Sequence, residues 1–575
     1  MYVFYPNTLL NRSFFDKCLQ RLSYMLHDEL LCWDIRIGLE IHIKLLNLAK
    51  IFSNSSANFV QIPNHHVTPV DIGFPGTLPL VNINSIKKAL TLAKILDCHI
   101  NFSSTFDRKH YIYPDLAQGY QITQKTPLAQ NGYLEYIKWN PAHQTKAEYR
   151  KVKIQKIHIE NDSGKSIYGH KNSRLIDFNR SGVGLLELVT EPTFNDSEDC
   201  ASFLRELIEK LTNAGLNDGR LDRGSLRVDA NLHVYPIFNN NNRNNIIPRC
   251  EIKNMNSVKH LVNAIEYEIK RYKLNYEEII EKTNLQFETR SYNSNTGKTY
   301  ATRVKKNFLG YRYIPEYNIP NLILTQQLLN SPNVNYDDKN RELYYDISSS
   351  DAARIYNMKF GLTLDKSLNL ARDKDLSRVF LRANQMAKSF FALKAPVFLY
   401  SDNSIYINPH HLYSIITTTL KSYLNDDSSI ISFEDNAKSS TISLFERNIV
   451  KNSITLSELS ITLIFLLELV RQEIITLATS KLILSKYLEN KKTDNENGIF
   501  KKNVLAWILL NNLIQNTNAP MIRQSVNDYL KINSKVKLNK AEFKKKATLY
   551  INKKHNGTLN PTVLNYMIDD VFASN

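Results

Sequence analysis

Seven short motifs between residues 38 and 257 constrain this chain more than anything else in it. In order they are Gly38-Leu39-Glu40-Ile41-His42, Phe106–Asp115, Ile157–Lys165, Asp177–Gly182, Leu186–Pro192, Gly224–Asn231 and Glu251–Ser257. Several alternate polar with apolar residues, so on a strand their polar members share one face and their apolar members the other. Glu40 and His42 form one such pair. His158, Glu160 and Asp162 repeat the pattern, and Arg227, Asp229 and Asn231 repeat it again, with further carboxylates at Glu187, Glu191 and Glu251. A sheet face carrying so many charges cannot pack as a core, whereas the opposite face can.

Hard oxygen donors drawn from several strands suit Mg2+, which keeps waters and phosphate oxygens in its shell. Arg180, Arg227 and Lys253 suit phosphate oxygens directly. A single triplet of this kind is more often a solvated strand face than a site, but three of them with further carboxylates describe a metal–nucleotide site. Familiar phosphate and hydrolase signatures are missing. Gly164-Lys165-Ser166 resembles the end of a phosphate-binding loop, but Ile159 stands where the first glycine belongs. No Gly-x-Gly-x-x-Gly, Gly-x-Ser-x-Gly or Gly/Ser-rich amidase stretch occurs, so the chain should not make its own ammonia from glutamine.

With 575 residues, 43% of them hydrophobic, the chain is globular and long enough for several domains. Five scattered cysteines with no Cys-x-x-Cys pair argue against a zinc ribbon or disulfide framework. The longest strongly apolar stretch, Ile461–Val470, is too short to span a bilayer. A net charge of +17 points to a polyanionic partner such as nucleic acid, or to compositional drift toward Lys, Asn, Ile and Tyr.

Strand-like and helical patterns mix from residue 31 to about 325, with helices over Asn84–Leu96 and Asp196–Asn213, and one alternating strand through Val152–His158. The predicted class is α+β: a domain built on a mixed or antiparallel sheet, followed by mostly helical sequence. Residues 1–30 read as a presequence or an ordinary helix, 31–325 as the sheet domain, and 326–450 and 451–575 as two helical parts. Helical periodicity covers Ser348–Met358, Leu364–Leu393, His410–Leu424 and Ser457–Tyr487. Shorter helices follow over Asn503–Gln515, Ser525–Lys531 and Lys540–Asn552. The asparagine-rich 238–245 segment reads as a solvated loop. Lysines crowd 535–554, either as a phosphate-backbone contact or as a solvated face.

The motif series resembles the B-subunit family of glutamyl-tRNA(Gln) and aspartyl-tRNA amidotransferases. The likeness runs from about Ile37 through Tyr311-Arg312-Tyr313-Ile314-Pro315-Glu316-Tyr317-Asn318-Ile319-Pro320 and resumes at Asn556–Pro561. It implies ATP-dependent activation of the γ-carboxylate of Glu-tRNA(Gln) as an acyl phosphate, then displacement by ammonia to give Gln-tRNA(Gln). It also implies an amidase-fold A subunit supplying ammonia through a channel, a third small subunit, a catalytic cradle domain over 31–325, an all-α helical linker domain over 326–450 and an all-α tail over 451–575 that grips the tRNA. Carried over residue by residue, Glu40, His42, Glu160, Glu187, Asp229 and Glu251 become the Mg2+ candidates. His158, Glu160, Arg180, Arg227 and Lys253 become the catalytic set, and Ser225, Asn231, Arg180, Arg227 and Lys253 the ATP contacts. Glu160 sits where the ammonia channel should open. Gln118 replaces the family's usual lysine before Tyr120-Gln121, and the positions of Gly310 and Asn318 usually carry Asp. The N-terminal extension and the composition resemble mitochondrial members from fungi, yeasts especially, which implies the mitochondrial matrix. A stand-alone ATP-dependent carboxylate–amine ligase and a tRNA-binding scaffold without catalysis are the competing functions.

Overall fold

The computed structural model describes residues 33–140, 146–168, 174–237, 249–283, 288–304, 311–330, 347–394, 407–424, 431–432, 454–492, 511, 513–532, 540–555 and 557–573. The presequence region, the asparagine-rich loop, Gly310 and most of the expected helix over Asn503–Gln515 lie outside them. The chain divides into two compact units, Met1–Asp351 and Ala352–Asn575.

In the first unit, β1 is Trp33–Lys44, β2 His99–Ile100, β3 Ser103–Ser104, β4 Asp107–His110 and β5 Tyr120–Thr123. Then come β6 Ala129–Lys138, β7 Glu148–Asn161, β8 Lys165–Tyr168, β9 Arg174–Asp177 and β10 Gly184–Thr190. The last are β11 Leu226–Pro236, β12 Arg249–Lys253, β13 Glu288–Asn293, β14 Lys298–Val304 and β15 Arg312–Pro315. Nine of them form one sheet in the order β14-β13-β12-β11-β1-β10-β7-β6-β2. The β12–β13 pair is parallel and the other pairs antiparallel. The sheet is thus mixed, and the class is α+β as the sequence predicts.

Alternation creates the two faces. Ile37, Leu39, Ile41 and Ile43 of β1 are buried on one side, as are Val228, Ala230, Leu232 and Val234 of β11. Three helices cover that side: α1 (Ile83–Ile95), α2 (Ser197–Asn213) and α3 (Val258–Thr283). Their Ile86, Leu90, Phe203, Leu207, Leu261 and Ile265 join the strand residues in a single core. The α2 helix begins where the sequence places it, because the Asp196 side chain accepts from Asp199 N at 2.8 Å and caps the first turn.

The expected strand Val152–His158 is present but not uniform. Val152 and Ile154 are buried on the core side, and so are Ile157 and Ile159. An unbroken strand cannot bury both pairs on one side, since one parity is even and the other odd. The β10–β7 ladder solves this with a bulge: Val189 pairs with Lys156 and the adjacent Thr190 with Ile154, so Gln155 has no partner. Neighbouring β6 changes parity at the same level through Asn131, whose φ is +56°. The bulge is what turns His158 and Glu160 away from the core.

The second unit, expected to be all-α, is helical in its described parts except for one short parallel pair, Ile431–Ser432 with Ile454–Thr455. The span expected as one helix, Leu364–Leu393, is two, Leu364–Arg372 and Lys374–Lys394. Asp373 interrupts it because its carboxylate accepts from Leu376 N and caps the second helix. Ser457–Tyr487 likewise resolves into Leu456–Arg471 and Leu477–Lys492. Glu473 takes a left-handed φ of 56° between them, and Thr476 Oγ1 accepts from Thr479 N. Helices Ala519–Ile532, Lys540–Lys554 and Pro561–Ala573 enclose a small core of their own around Ile522, Val526, Phe543, Ile551, Leu564 and Ile568. Among the described residues, no helix is long and apolar enough to cross a membrane.

The first unit yields two tests. Gln155 is exposed, so Gln155→Ala should change stability by no more than about 0.5 kcal/mol. Deleting Gln155 instead forces Glu160 toward the core and should cost several kcal/mol, about 3 or more; urea unfolding of both variants measures the contrast, and equal midpoints would discredit the role given to the bulge. Glu206 of α2 is buried, and burial pushes its carboxyl up to about 7, with Asp351 adding to the shift and Lys210 opposing it. The folded state therefore holds a proton that the unfolded chain has released, so stability should fall as pH rises from about 4.5 to about 7. Glu206→Gln should flatten that part of the stability–pH curve, which unfolding at pH 5 and pH 8 will test.

Candidate active site

The polar face of the sheet gathers the motifs because registered neighbours on five strands fall into rows. His158 on β7 lies opposite Glu187 on β10, which lies opposite His42 on β1, which lies opposite Arg227 on β11. The next row sets Glu40 opposite Asp229, and the one after it Asn231 opposite Glu251. Cross-strand neighbours are close enough for their side chains to bond.

His42 is the hub. Its Nδ1 is 3.0 Å from Glu160 Oε1 and its Nε2 is 3.4 Å from Glu40 Oε1. Burial disfavours the charged ring, but hydrogen bonds to Glu160 and Glu40 and the nearby carboxylate charge hold its pKa well above the ordinary histidine value. Burial works most strongly against the Glu40 and Glu187 carboxylates, but a histidine bond and nearby cations together outweigh it, His42 and Lys253 for Glu40 and His158, His42 and Lys109 for Glu187, so both titrate below their usual range. The partner of Glu187 is His158, with Nε2 at 2.7 Å, and His158 Nδ1 is buried with no hydrogen-bond partner among the described residues.

Two sets of ligand atoms approach within 4.8 Å of one another, Glu40–His42–Asp229 and His42–Glu160–Glu187. Five of the six metal candidates from the sequence thus converge. The sixth, Glu251, joins neither set: it pairs with Lys253 at 3.1 Å and accepts from Thr289 Oγ1 at 3.1 Å. Burial raises the Asp229 pKa, and Glu40 adds to the shift despite the bonded Lys253. Carboxylate charge is under-compensated at this point, and a divalent cation with oxygen preference fits the donor set. Such an ion would replace the proton on His42 as the positive charge among the acids.

A basic half adjoins the acidic one. Asp162 accepts from Arg227 and lies 3.5 Å from Arg180 Nε. Arg180 also donates to the carbonyls of Ser163 at 3.0 Å and Gly164 at 2.6 Å. The turn carrying Arg180 depends on Gly182, whose φ is +81° and where a Cβ would meet Asp71 Oδ1 at 2.8 Å. Asp71 is fixed by the buried Lys50 at 3.1 Å and by Ser53 and Thr68. Lys253 bridges Asp229 and Glu251, and those two charges hold its pKa above the ordinary lysine value against burial.

Of the expected ATP contacts, Asn231 accepts from Arg249 Nε at 3.1 Å, and Ser225 turns its hydroxyl to Asp218 at 3.2 Å. Ser225 also receives Lys44 N on its carbonyl, so it serves the end of the sheet. Gln118 donates to the Val70 carbonyl at 3.0 Å and lines a small cavity with Phe52, Asp71, Asn161 and Gly182.

Asp162 and Lys109 also belong to the site, although the motifs alone assign no role to either. Asp162 was visible as the third member of the His158 alternation. Lys109 reaches the site from β4 in a separate small sheet, where burial opposes its charge but Glu160 and Glu187 keep its proton above the ordinary range. Only its alternation with Asp107 and Tyr111 hinted at that.

Residues 35–330 match the family model described as the GatB/GatE catalytic domain. The B subunit of an aspartyl/glutamyl-tRNA(Asn/Gln) amidotransferase from Rickettsia canadensis is 34% identical over 61% of this chain and 68% of its own length. The corresponding protein of Rickettsia rickettsii is 38% identical over 53% of this chain and 60% of its own. The human mitochondrial glutamyl-tRNA(Gln) amidotransferase counterpart is 37% identical over 60% of this chain and 62% of its own. The matched part thus spans about two thirds or less of each relative. With its acid-and-base-lined sheet inside the matched segment, the chain belongs to the family of tRNA amidotransferase B subunits, components of ligase-type transamidases that serve translation.

Proposed function

We propose that the chain is the kinase and transamidase subunit of a glutamine-dependent amidotransferase. It converts Glu-tRNA(Gln) to Gln-tRNA(Gln) through a γ-phosphoryl-glutamyl intermediate, with ATP as phosphoryl donor. The single observation carrying this reading is the convergence of Glu40, His42, Glu160, Glu187 and Asp229 beside Arg227, Arg180 and Lys253 on one sheet face.

In-line phosphoryl transfer needs positioning and charge neutralisation more than a protein nucleophile. Glu40, Glu160, Glu187 and Asp229 would hold Mg2+. When bound there, Mg2+ supplies charge neutralisation to the phosphate oxygens of the nucleotide. Arg227 and Arg180, aligned by their shared Asp162, present N–H groups to the transferred phosphoryl group. Lys253, fixed between Asp229 and Glu251, adds a cation at the far edge of the site. His158 orients Glu187, and the bulge at Gln155 keeps both His158 and Glu160 at the reacting surface. Ammonia then displaces phosphate at the activated acyl carbon.

Ammonia comes from an amidase-fold A subunit, and a third small subunit completes the enzyme. The cavity lined by Gln118, beside Asn161 and so next to Glu160, is a reasonable inlet. The chain works in the mitochondrial matrix on this reading; the human relative, whose name says mitochondrial, supports the organelle. The tail module provides tRNA contacts through the exposed Lys545, Lys546 and Lys553; its Lys544 and Lys554 already face Asp569 and Asp528 at 2.6 and 3.6 Å.

The test is a transamidation assay with purified Glu-tRNA(Gln), ATP and either glutamine or ammonium, with and without partner subunits. Gln-tRNA(Gln) should form from ammonium in an ATP-dependent manner, and glutamine should serve only when the A subunit is present. ATP-independent product, or none from the complete complex, overturns the proposal. Glu160→Gln should lower ammonium-driven turnover about a hundredfold, the scale of losing one preorganised charge; near-normal turnover would remove Glu160 from the site. Replacing Lys545, Lys546 and Lys553 together with Ala should weaken tRNA binding and reduce the steepness of its salt dependence by about 0.7–0.9 for each phosphate no longer neutralised. Identical slopes would mean these lysines only solvate the helix.

A further inference from the structure

Neither β15 nor the strand it pairs with, β4, takes part in the chemistry above except through Lys109. In their antiparallel ladder Lys109 lies opposite Tyr313, and on β5 Gln121 lies opposite Lys109. Alternation puts Lys109, Tyr111, Gln121, Tyr311 and Tyr313 on one face. On the other face Arg108 grips Glu316 through two bonds of 2.7 Å and stacks over the Tyr120 ring at 4.6 Å, which fixes β15 to β4.

The tyrosine face is ordered and close to the reacting groups. Gln121 donates to the Asn161 carbonyl at 2.8 Å, and Ile122 N donates to the Asn161 side chain at 2.7 Å, so β5 is bonded to the residue beside Glu160. The Tyr111 ring lies 5.8 Å from Tyr311 and 5.8 Å from Tyr113, and Lys109 Nζ sits 4.7 Å from the Tyr311 ring centre. Yet Tyr311 is 49% exposed, Tyr313 42% and Tyr113 57%. Tyrosines whose purpose is packing would be covered. These rings instead keep area open at the edge of a charged site, where an aromatic ligand can stack.

We propose that Tyr311 and Tyr313, with Tyr113 at their rim, form a stacking platform for an adenine base. This rests on the function proposed above, in which two substrates carry adenine: ATP, and the tRNA through its 3′-terminal adenosine. Stacking uses the ring face and not the hydroxyl, so phenylalanine should replace tyrosine without loss. The cation of Lys109 near the Tyr311 ring lies between the platform and the carboxylates, where it can meet the phosphate attached to the stacked nucleoside.

The experiment compares Tyr311→Ala, Tyr311→Phe, Tyr313→Ala and Tyr313→Phe in the enzyme assembled with its partner subunits, with ammonium as nitrogen donor. The alanine variants should raise the KM of an adenine-bearing substrate about tenfold while kcat changes little, and the phenylalanine variants should behave as wild type. A rise in the KM for ATP assigns the base to the nucleotide; a rise in the KM for Glu-tRNA(Gln) assigns it to the RNA end. If neither KM moves in alanine variants with unchanged thermal midpoints, or if phenylalanine is as damaging as alanine, the platform is overturned. Equilibrium dialysis with ATP and with an RNA hairpin ending in CCA measures the same contrast without turnover. Binding lost only in the alanine variants would uphold the platform even in an enzyme that shows no transamidation, which separates its failure from that of the proposed function.

Discussion

A strand that buries its even-numbered residues at one end and its odd-numbered residues at the other must gain or lose a residue on the way, and the catalytic face depends on that requirement being met in β7. Gln155 is the extra residue. Ahead of it Val152 and Ile154 pack on the helices; after it Ile157 and Ile159 do. Without the change of parity, His158 and Glu160 would enter an apolar layer with no room for their charge. With it they stand beside His42 and Glu187, and the rows across β7, β10, β1 and β11 close into one site. The matching irregularity at Asn131 in β6 shows that the parity change is shared with the next strand, so the sheet stays paired across it.

What gathers on that face is costly to hold together. Glu40, Glu160, Glu187 and Asp229 repel one another in a partly dry environment, and the protein offsets this with groups that each serve two acids. His42 serves Glu160 and Glu40; Lys253 serves Asp229 and Glu251. Buried ion pairs of this kind rarely add net stability, and removing one partner leaves an uncompensated charge. Their value is positional: each charge is fixed in advance, so in the reaction proposed above little reorganisation would be needed. Asp162 does the same for two arginines that would otherwise drive each other apart.

The alternation of Glu40 with His42, of His158 with Glu160, and of Arg227 with Asp229 was legible because strand geometry is local, and it placed most of the charged face correctly. The parity change at Gln155 was not, because a single inserted residue leaves no mark in composition and is decided by which partner residues need burial. Lys109 and the tyrosines were hidden for a different reason: their small sheet is set against the large one by tertiary bonds through Asn161, to which no pattern in β4 or β15 refers. Glu251 and Ser225 show the converse. The family resemblance assigned them to metal and ATP, and in the fold their side chains bond Lys253 and Thr289, and Asp218. In the helical part the periodicity was read correctly while the breaks at Asp373 and Glu473 were missed, since an Asp cap and a left-handed residue interrupt a helix without disturbing its apolar stripe.

Charge sets one more condition on how such a chain can handle a large polyanion. Within the site the carboxylates Glu40, Glu160, Glu187, Asp229, Glu251 and Asp162 face the cations His42, Lys109, Lys253, Arg227 and Arg180, so the face holds acids and bases in nearly equal number and has little positive charge to spare. The whole chain nevertheless carries +17. On the function proposed above, affinity for an RNA backbone would come from basic surface away from the sheet face, while the face would take up phosphate together with a divalent cation. Gripping and chemistry are then separable properties. The salt dependence of binding should report on lysines such as Lys545 and Lys546, while the divalent-ion dependence of turnover should report on the carboxylates around His42.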